Sequence, residues 1–191
     1  MQERRVNSSI ISYNAAISAC ERGEQWEWAL EMFREIETSR LTADIISFNA
    51  TISACEKGHQ WQRALLLLAD LEANDLQGTV VTYSAAISAV EKGSQWQRAV
   101  QLLTLLPRKR LWGNVITYSS AISACGQGQQ WELSLQLLSE LKQWGLRVNI
   151  VACNAAISSC ERGRQWKPAQ ELLAKLAGLC MLLPADSRIR T

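Results

Sequence analysis

Apolar positions along the chain recur at helical steps. Ile10, Tyr13, Ile17 and Cys20 are separated by three, four and three residues, which places them on one stripe of an α-helix. Trp26, Leu30, Phe33 and Ile36 form a second stripe, and the polar stretch from Thr38 to Asp44 closes the pattern. Ser12, near the start of the first stripe, reads as an N-cap, matched later by Ser47, Thr82 and Thr117 and broken at Ala152. Gly23 reads as the residue that ends the first helix in a left-handed conformation. The pattern predicts two antiparallel helices of about 12 residues, joined by a short glycine-containing turn.

The same pattern returns five times. Trp26, Trp61, Trp96, Trp131 and Trp166 lie 35 residues apart, as do Ile17, Ile52, Ile87, Ile122 and Ile157, and Gly23, Gly58, Gly93, Gly128 and Gly163. The chain divides into an N-terminal extension (1–9), four units (10–44, 45–79, 80–114 and 115–149), a fifth unit with a degenerate end (150–184) and a tail (185–191). One helical hairpin cannot bury two apolar stripes, but stacked hairpins can, and at least about three are needed for stability. The predicted fold class is all-α: an α-solenoid of five tandem 35-residue helix–turn–helix repeats. The five register tryptophans are expected in its core, at the base of each second helix, because large aromatics dominate packing. Trp28, Trp112 and Trp144 lie off that register. Pro168 falls in a first helical turn, where proline is tolerated.

Composition narrows the function classes. Of 191 residues, 48% are hydrophobic, enough for a substantial core, while 20 Lys and Arg against 18 Asp and Glu leave a net charge of only +2. So close a balance makes no case for nucleic acid by itself; such a case must come from where the charges sit. Six cysteines without a secretory leader do not make a disulfide framework, and MQERRVNSS is too short for a targeting peptide. No apolar run approaches the roughly 18 residues of a membrane span. Cys20, Cys55, Cys125 and Cys160 share one helix position and read as small buried residues. The single histidine, His59, falls in an inter-helix turn, and no Cys-x-x-Cys spacing exists. With no phosphate loop and no nucleophile–base set, the expectation is a non-enzyme without cofactor, metal site or catalytic residue.

The stretch VVTYSAAISAVEKGSQWQRAVQLL (80–103) and its four copies carry a more specific signature. The shared pattern opens on two branched apolar residues, Ser or Thr, Tyr, and Asn or Ser, and continues with Ile, Ala, a basic residue before Gly, and Ala–Leu, with single copies departing from it. This resembles the pentatricopeptide repeat family, over Ile10 to about Leu176. The related tetratricopeptide repeat expects a different period and a glycine where Ile17, Ile52, Ile87, Ile122 and Ile157 stand. Departures from the family are Ala43, Gly78, Gly113 and Val148 in place of a proline, Cys153 in place of Tyr or Phe, and a final ADSRIRT without a capping helix.

On each first helix, the face turned from the packing stripe holds the second, fifth and ninth residues of the unit, Ile11, Asn14 and Ser18 in the first. The second residues, Ile11, Ile46, Val81, Ile116 and Val151, are always branched and apolar. Their type alone fits extra packing between units; the resemblance implies that successive ones sandwich a base. The fifth residues (Asn14, Asn49, Ser84, Ser119, Asn154) and the last residues (Asp44, Thr79, Asn114, Asn149) can all donate or accept hydrogen bonds. Helix capping and turn chemistry account for Asp44, Asn114 and Asn149 almost as well as base recognition does.

By resemblance, those two residues together choose the base. Asn14 with Asp44 resembles a uracil reader, Asn49 with Thr79 a weaker pyrimidine reader, and Ser84 with Asn114 and Ser119 with Asn149 adenine readers. Asn154 resembles a pyrimidine reader without an assigned partner. The implied ligand is single-stranded RNA with a core 5′-U-Y-A-A-Y-3′. Arg22, Lys57, Lys92 and Arg162 precede the glycines, with Gln127 in the fourth unit, and a row of cations at a fixed repeat is what phosphate contacts need. Glu21, Glu56, Glu91 and Glu161 sit beside them. Adjacent helical residues point about 100° apart, so these acids are not expected to cancel the row. Four engaged cations imply a salt slope near −3, at about −0.7 per phosphate. Arg108, Lys109 and Arg110 read as surface charge.

The resemblance further implies a passive role in the stability, processing, splicing, editing or translation of an organellar transcript, in a chloroplast or mitochondrion. Other RNA-processing proteins are implied as partners, and no membrane. So short a word has little uniqueness, so the chain is expected to be part of a longer array or to act with a partner. The competing class is a protein-interaction scaffold, because solenoid grooves take peptides as readily. A peptide groove would not require the Asn/Ser series matched to unit-terminal Asp, Thr and Asn.

Overall fold

The computed structural model describes residues 9–39, 41–146 and 149–172. Nine 13-residue helices follow one another among them: α1 (Ile10–Arg22), α2 (Trp26–Thr38), α3 (Ile45–Lys57), α4 (Trp61–Ala73), α5 (Val80–Lys92), α6 (Trp96–Arg108), α7 (Val115–Gln127), α8 (Trp131–Gln143) and α9 (Ile150–Arg162). Residues 166–172 are also helical and are labelled α10, so Pro168 does sit within a helix. There is no strand among the described residues. The extension before Ser9, Val148, the end of the fifth unit beyond residue 172 and the tail lie outside them.

The first helices are capped by Ser9, Asp44, Thr79, Asn114 and Asn149, not by Ser12 and its equivalents. The cap must sit where the backbone is still extended, and that is the last residue of each unit. Ser47, Thr82 and Thr117 stand at the third helical position and return a bond to the cap's own backbone N–H, closing a capping box. Two residues of capping type compete at the first four starts, and their position relative to the turn assigns the roles.

The glycines also act differently from expectation. Gly23, Gly58, Gly93, Gly128 and Gly163 all have negative φ. The left-handed residue is the next one: Glu24, His59, Ser94, Gln129 and Arg164, with φ between 54° and 57°. Around it the chain makes a Schellman closure, in which Gln25 N–H donates to the Cys20 carbonyl at 2.9 Å and Glu24 N–H to Glu21 at 3.2 Å. What requires glycine is a close approach. A Cβ on Gly163 would fall 2.5 Å from Cδ1 of Trp131, and on Gly58, Gly93 and Gly128 still closer to Trp26, Trp61 and Trp96. Trp26, Trp61, Trp96 and Trp131 therefore each sit on the glycine of the next repeat. Arg63 covers Trp26 at 4.3 Å and Arg98 covers Trp61 at 4.7 Å, cation–π contacts that close the joint from the far side.

These four tryptophans are half-buried between repeats rather than in the core, and Trp166, with no described repeat beyond it, is 71% exposed. The core is made by smaller side chains. Ile17, Ile52, Ile87 and Ile122 are fully buried, as are Ile36, Leu71, Leu106 and Leu141 of the second helices. Cys55, Cys125 and Cys160 are buried, and Cys20 half-buried. Consecutive first helices pack directly on one another, and so does each second helix on the next first helix, whereas consecutive second helices keep their backbones farther apart and meet through side chains such as Arg63 on Trp26. Small residues allow the first layer's closeness: Ala54, Ala89 and Ala124 have no exposed surface. One row of helices is thus drawn together while the other splays, which curves the stack toward the first helices.

Gly58→Ala is expected to cost about 1–3 kcal/mol, as overpacking does, because its Cβ would also meet Trp26 Cβ at 2.9 Å. At Gly23 the nearest atom to an added Cβ is 3.5 Å away, and Gly23→Ala should be neutral or stabilise by roughly 0.4–1 kcal/mol. Urea denaturation of the two variants side by side checks the seat; equal effects would refute it.

Candidate functional site

The second residue of each unit lies in the first turn of its first helix, on the side facing away from the core. Ile11, Ile46, Val81, Ile116 and Val151 are accordingly 57–75% exposed. They form a regular row of branched apolar side chains, one per repeat, that no neighbouring repeat covers. Extra packing between units does not account for them.

Beneath this row lie the fifth residues. Asn14, Ser84 and Ser119 are each no more than 9% exposed, and Asn49 is half-buried. In the first and fourth units the fifth residue meets the last residue of its own unit directly. Asn14 Nδ2 donates to both carboxylate oxygens of Asp44, at 3.1 and 3.2 Å, and Ser119 Oγ, which donates to the Val115 carbonyl at 2.7 Å, lies 3.3 Å from Asn149 Oδ1. In the two units between, the third residue of the next helix forms the bridge. Thr82 Oγ1 donates to Asn49 Oδ1 at 2.6 Å and lies 3.2 Å from Thr79 Oγ1. Thr117 Oγ1 lies 2.7 Å from Ser84 Oγ and donates to Asn114 Oδ1 at 2.8 Å. Ser47 likewise donates to Asn14 at 2.6 Å.

Ser47, Thr82 and Thr117 thus belong to the site as struts, a role that reading them as caps missed. Their signal in the sequence is a hydroxyl at the third place of the first four units, lost at Ala152, where Ser119 reaches Asn149 without a strut. Capping and pairing are one arrangement here, because the same atoms do both. Asn154 is exposed, and the last residue of its unit lies outside the described residues.

The cation row behaves otherwise than expected. Lys57 pairs with Glu21 at 3.2 Å and Lys92 with Glu56 at 2.8 Å, each also donating to that glutamate's carbonyl. The acid that neutralises each lysine comes from the preceding repeat, one period and one residue back, so the 100° between chain neighbours gives no protection. Glu91 instead accepts from Ser123 at 2.7 Å and Gln127 at 3.2 Å. The series stops at Gly126, which replaces the acid in the fourth unit, and Arg162 forms no ion pair among the described residues. Arg22, on the first helix, forms none either. A recess of about 330 Å³ between the fourth and fifth units brings Arg162 together with Val151 and Asn154. Wall, floor and cation therefore share one face. Arg108, Lys109 and Arg110 are exposed, with Lys109 paired to Glu72 at 2.8 Å. No helix among the described residues is long and apolar enough to cross a membrane, and no group of three metal-ligating side chains occurs among them.

Chemically, the face offers a row of slots with apolar walls and a hydrogen-bonding floor, suited to planar polar rings inserted edge-first. These features define a class: a helical-hairpin solenoid presenting one such slot per repeat. The family model of the pentatricopeptide repeat domain matches residues 1–57 and 66–128, and that of the PPR repeat matches 116–146. The chain belongs to the pentatricopeptide repeat family. No curated protein matches it. Its fold is shared by the pentatricopeptide repeat protein PPR10 in complex with an 18-nt psaJ RNA element, at 17% identity and a TM-score of 0.77, over 91% of this chain and 26% of that one. PPR10 from maize is similar at 19% identity and a TM-score of 0.74, over 91% and 25%. So is the PPR domain of Arabidopsis thaliana protein-only RNase P 1 in complex with tRNA, at 9% identity and a TM-score of 0.75, over 86% of both chains. The chain spans about a quarter of the length of PPR10.

Burial pushes the Asp44 carboxyl up, but hydrogen bonds from Ser47, Asn14 and the Ile46 N–H outweigh it and hold the group below its ordinary value of 3.8. A lowered folded-state value adds stability that is present above the ordinary value and is lost as pH falls through the folded one. Asp44→Ala is expected to cost about 1 kcal/mol at neutral pH, in the range of a lost cap. The gap to the parent should shrink as pH drops below 3.8. Urea midpoints at neutral pH and near pH 3 check this, and a gap that stays constant would sink the carboxylate's role.

Proposed function

We propose that this chain binds single-stranded RNA by seating successive bases between Ile11, Ile46, Val81, Ile116 and Val151. The paired floor residues then read their edges, one base per repeat, with the core 5′-U-Y-A-A-Y-3′. The observation that carries this reading is the exposed apolar row standing over a partly buried polar floor. A protein has no folding reason to leave five branched residues uncovered at a fixed period. The RNA named with PPR10 and the tRNA named with the RNase P domain lend support from proteins of the same fold.

Binding is passive in this reading. The chain covers a short RNA segment and leaves catalysis to other factors. An organellar transcript, in chloroplast or mitochondrion, is the setting the family favours, with other RNA-processing proteins as partners.

Electrostatics sets a quantitative expectation. With Lys57 and Lys92 held by acids, Arg22 and Arg162 remain for phosphates, so the salt slope should be near −1.4, at about −0.7 per phosphate. Glu56→Gln, which frees Lys92, should steepen it by roughly 0.7. Fluorescence anisotropy against RNA containing 5′-UCAAC-3′, a scrambled control and the DNA equivalent, over a series of salt concentrations, tests both statements. Equal affinity for the scrambled strand removes base reading. A folded, helical protein that binds none of them turns the groove over to peptides.

A further inference from the structure

Two large aromatics stand outside the repeat pattern. Trp112 and Trp144 occupy loop-side positions held in other repeats by Thr42 and Gln77, and by Ser39, Asn74 and Lys109. They are 62% and 55% exposed, yet they are not independent: their ring centroids lie 4.8 Å apart at a tilt of 56°, one from the third repeat and one from the fourth. The pair is thus braced across a repeat joint while each residue stays more than half exposed, a costly arrangement for two side chains of this size.

Their surroundings say what chemistry fits. Trp112 follows the run Arg108, Lys109 and Arg110 after one leucine and precedes Asn114 by two residues, and Trp144 precedes Asn149 by five. Lys109 is paired with Glu72, but Arg108 and Arg110 form no ion pair among the described residues. Exposed indole side chains, close in the chain to two arginines that form no ion pair and to the floor residues Asn114 and Asn149, are the ingredients of a stacking platform for single-stranded nucleic acid. An acidic protein segment would satisfy the charge, but it would not need flat faces next to the floor residues.

We propose that Trp112 and Trp144 form a second RNA contact, stacking a nucleobase that no repeat slot holds while Arg108 and Arg110 meet the adjoining phosphates. The inference rests on the RNA-binding reading above and adds to it a site that makes binding depend on nucleotides outside the five-base core. The contact is tolerant of sequence, because every base has a π-face, and it favours the larger purines.

The test places 2-aminopurine, whose fluorescence is quenched on stacking, at successive positions of an RNA that extends beyond UCAAC on both sides. The full chain is compared with a Trp112→Leu/Trp144→Leu variant, which keeps apolar cover without a ring, and with a Trp112→Phe/Trp144→Phe variant, which keeps a smaller ring. Circular dichroism and melting confirm that each is folded. At least one position outside the core should be quenched by the parent and by the Phe variant but not by the Leu variant. The Leu variant's affinity for the extended RNA should fall roughly 5- to 150-fold, with little change for the five-base core alone. An unaltered quenching profile and unaltered affinity in the Leu variant overturn the platform while leaving RNA binding intact, and point to a protein partner for the pair. Absence of RNA binding by the parent overturns the underlying reading as well.

Discussion

The whole array depends on one contact, the tryptophan of each repeat seated on the glycine of the next. It explains features that look unrelated along the chain. The seat leaves no room for a Cβ at Gly58, Gly93, Gly128 or Gly163, so glycine is held at the end of the first helix although its φ is ordinary. The left-handed turn falls one residue later, at Glu24, His59, Ser94, Gln129 and Arg164, as it does after second helices at Asp75 and Arg110, side chains that adopt it at a cost of about 1–2 kcal/mol each. Stability in such an array comes from nearest-neighbour joints, and here each joint has the same plug and the same seat.

A second economy lies in the caps. The last residue of each unit ends the loop, caps the next first helix and stands beside the fifth residue of its own unit. Asp44 accepts from the Ser47 N–H at 2.8 Å and from Asn14 at 3.1 Å. Helix initiation and the geometry of the slot floor are therefore one hydrogen-bonded network, and its polar atoms are held in place before any ligand arrives. Such preorganisation lowers the ordering cost of binding. It also means that changing a floor residue changes the start of a helix.

Charge is used mainly between repeats. The near balance of 20 basic and 18 acidic residues has a structural meaning, since Lys57 and Lys92 are spent on Glu21 and Glu56. The ladder lapses where Gly126 lets Ser159 approach, an added Cβ there lying 3.2 Å from Ser159 Cβ. One substitution thus brings two helices closer and leaves Arg162 without its acid.

The sequence by itself determined the hairpin, the period, the stacking and the identity of the two layers, because 35-residue recurrence and helical spacing are local properties that survive any arrangement of neighbours. It also brought the second, fifth and last residues into view, since position along one helix face follows from 3.6 residues per turn. What the tertiary structure decided were relations across a joint. Trp26 reads as core until the neighbour is seen to supply only a glycine and an arginine beneath and above it. Gly58 reads as a left-handed terminator until its missing Cβ is seen to be a seat. Lys57 reads as free beside Glu56 until Glu21, a repeat away, is found within 3.2 Å. In each case the deciding partner lies about one period distant, where adjacency in space is set by how closely two hairpins pack and not by the order of residues in either.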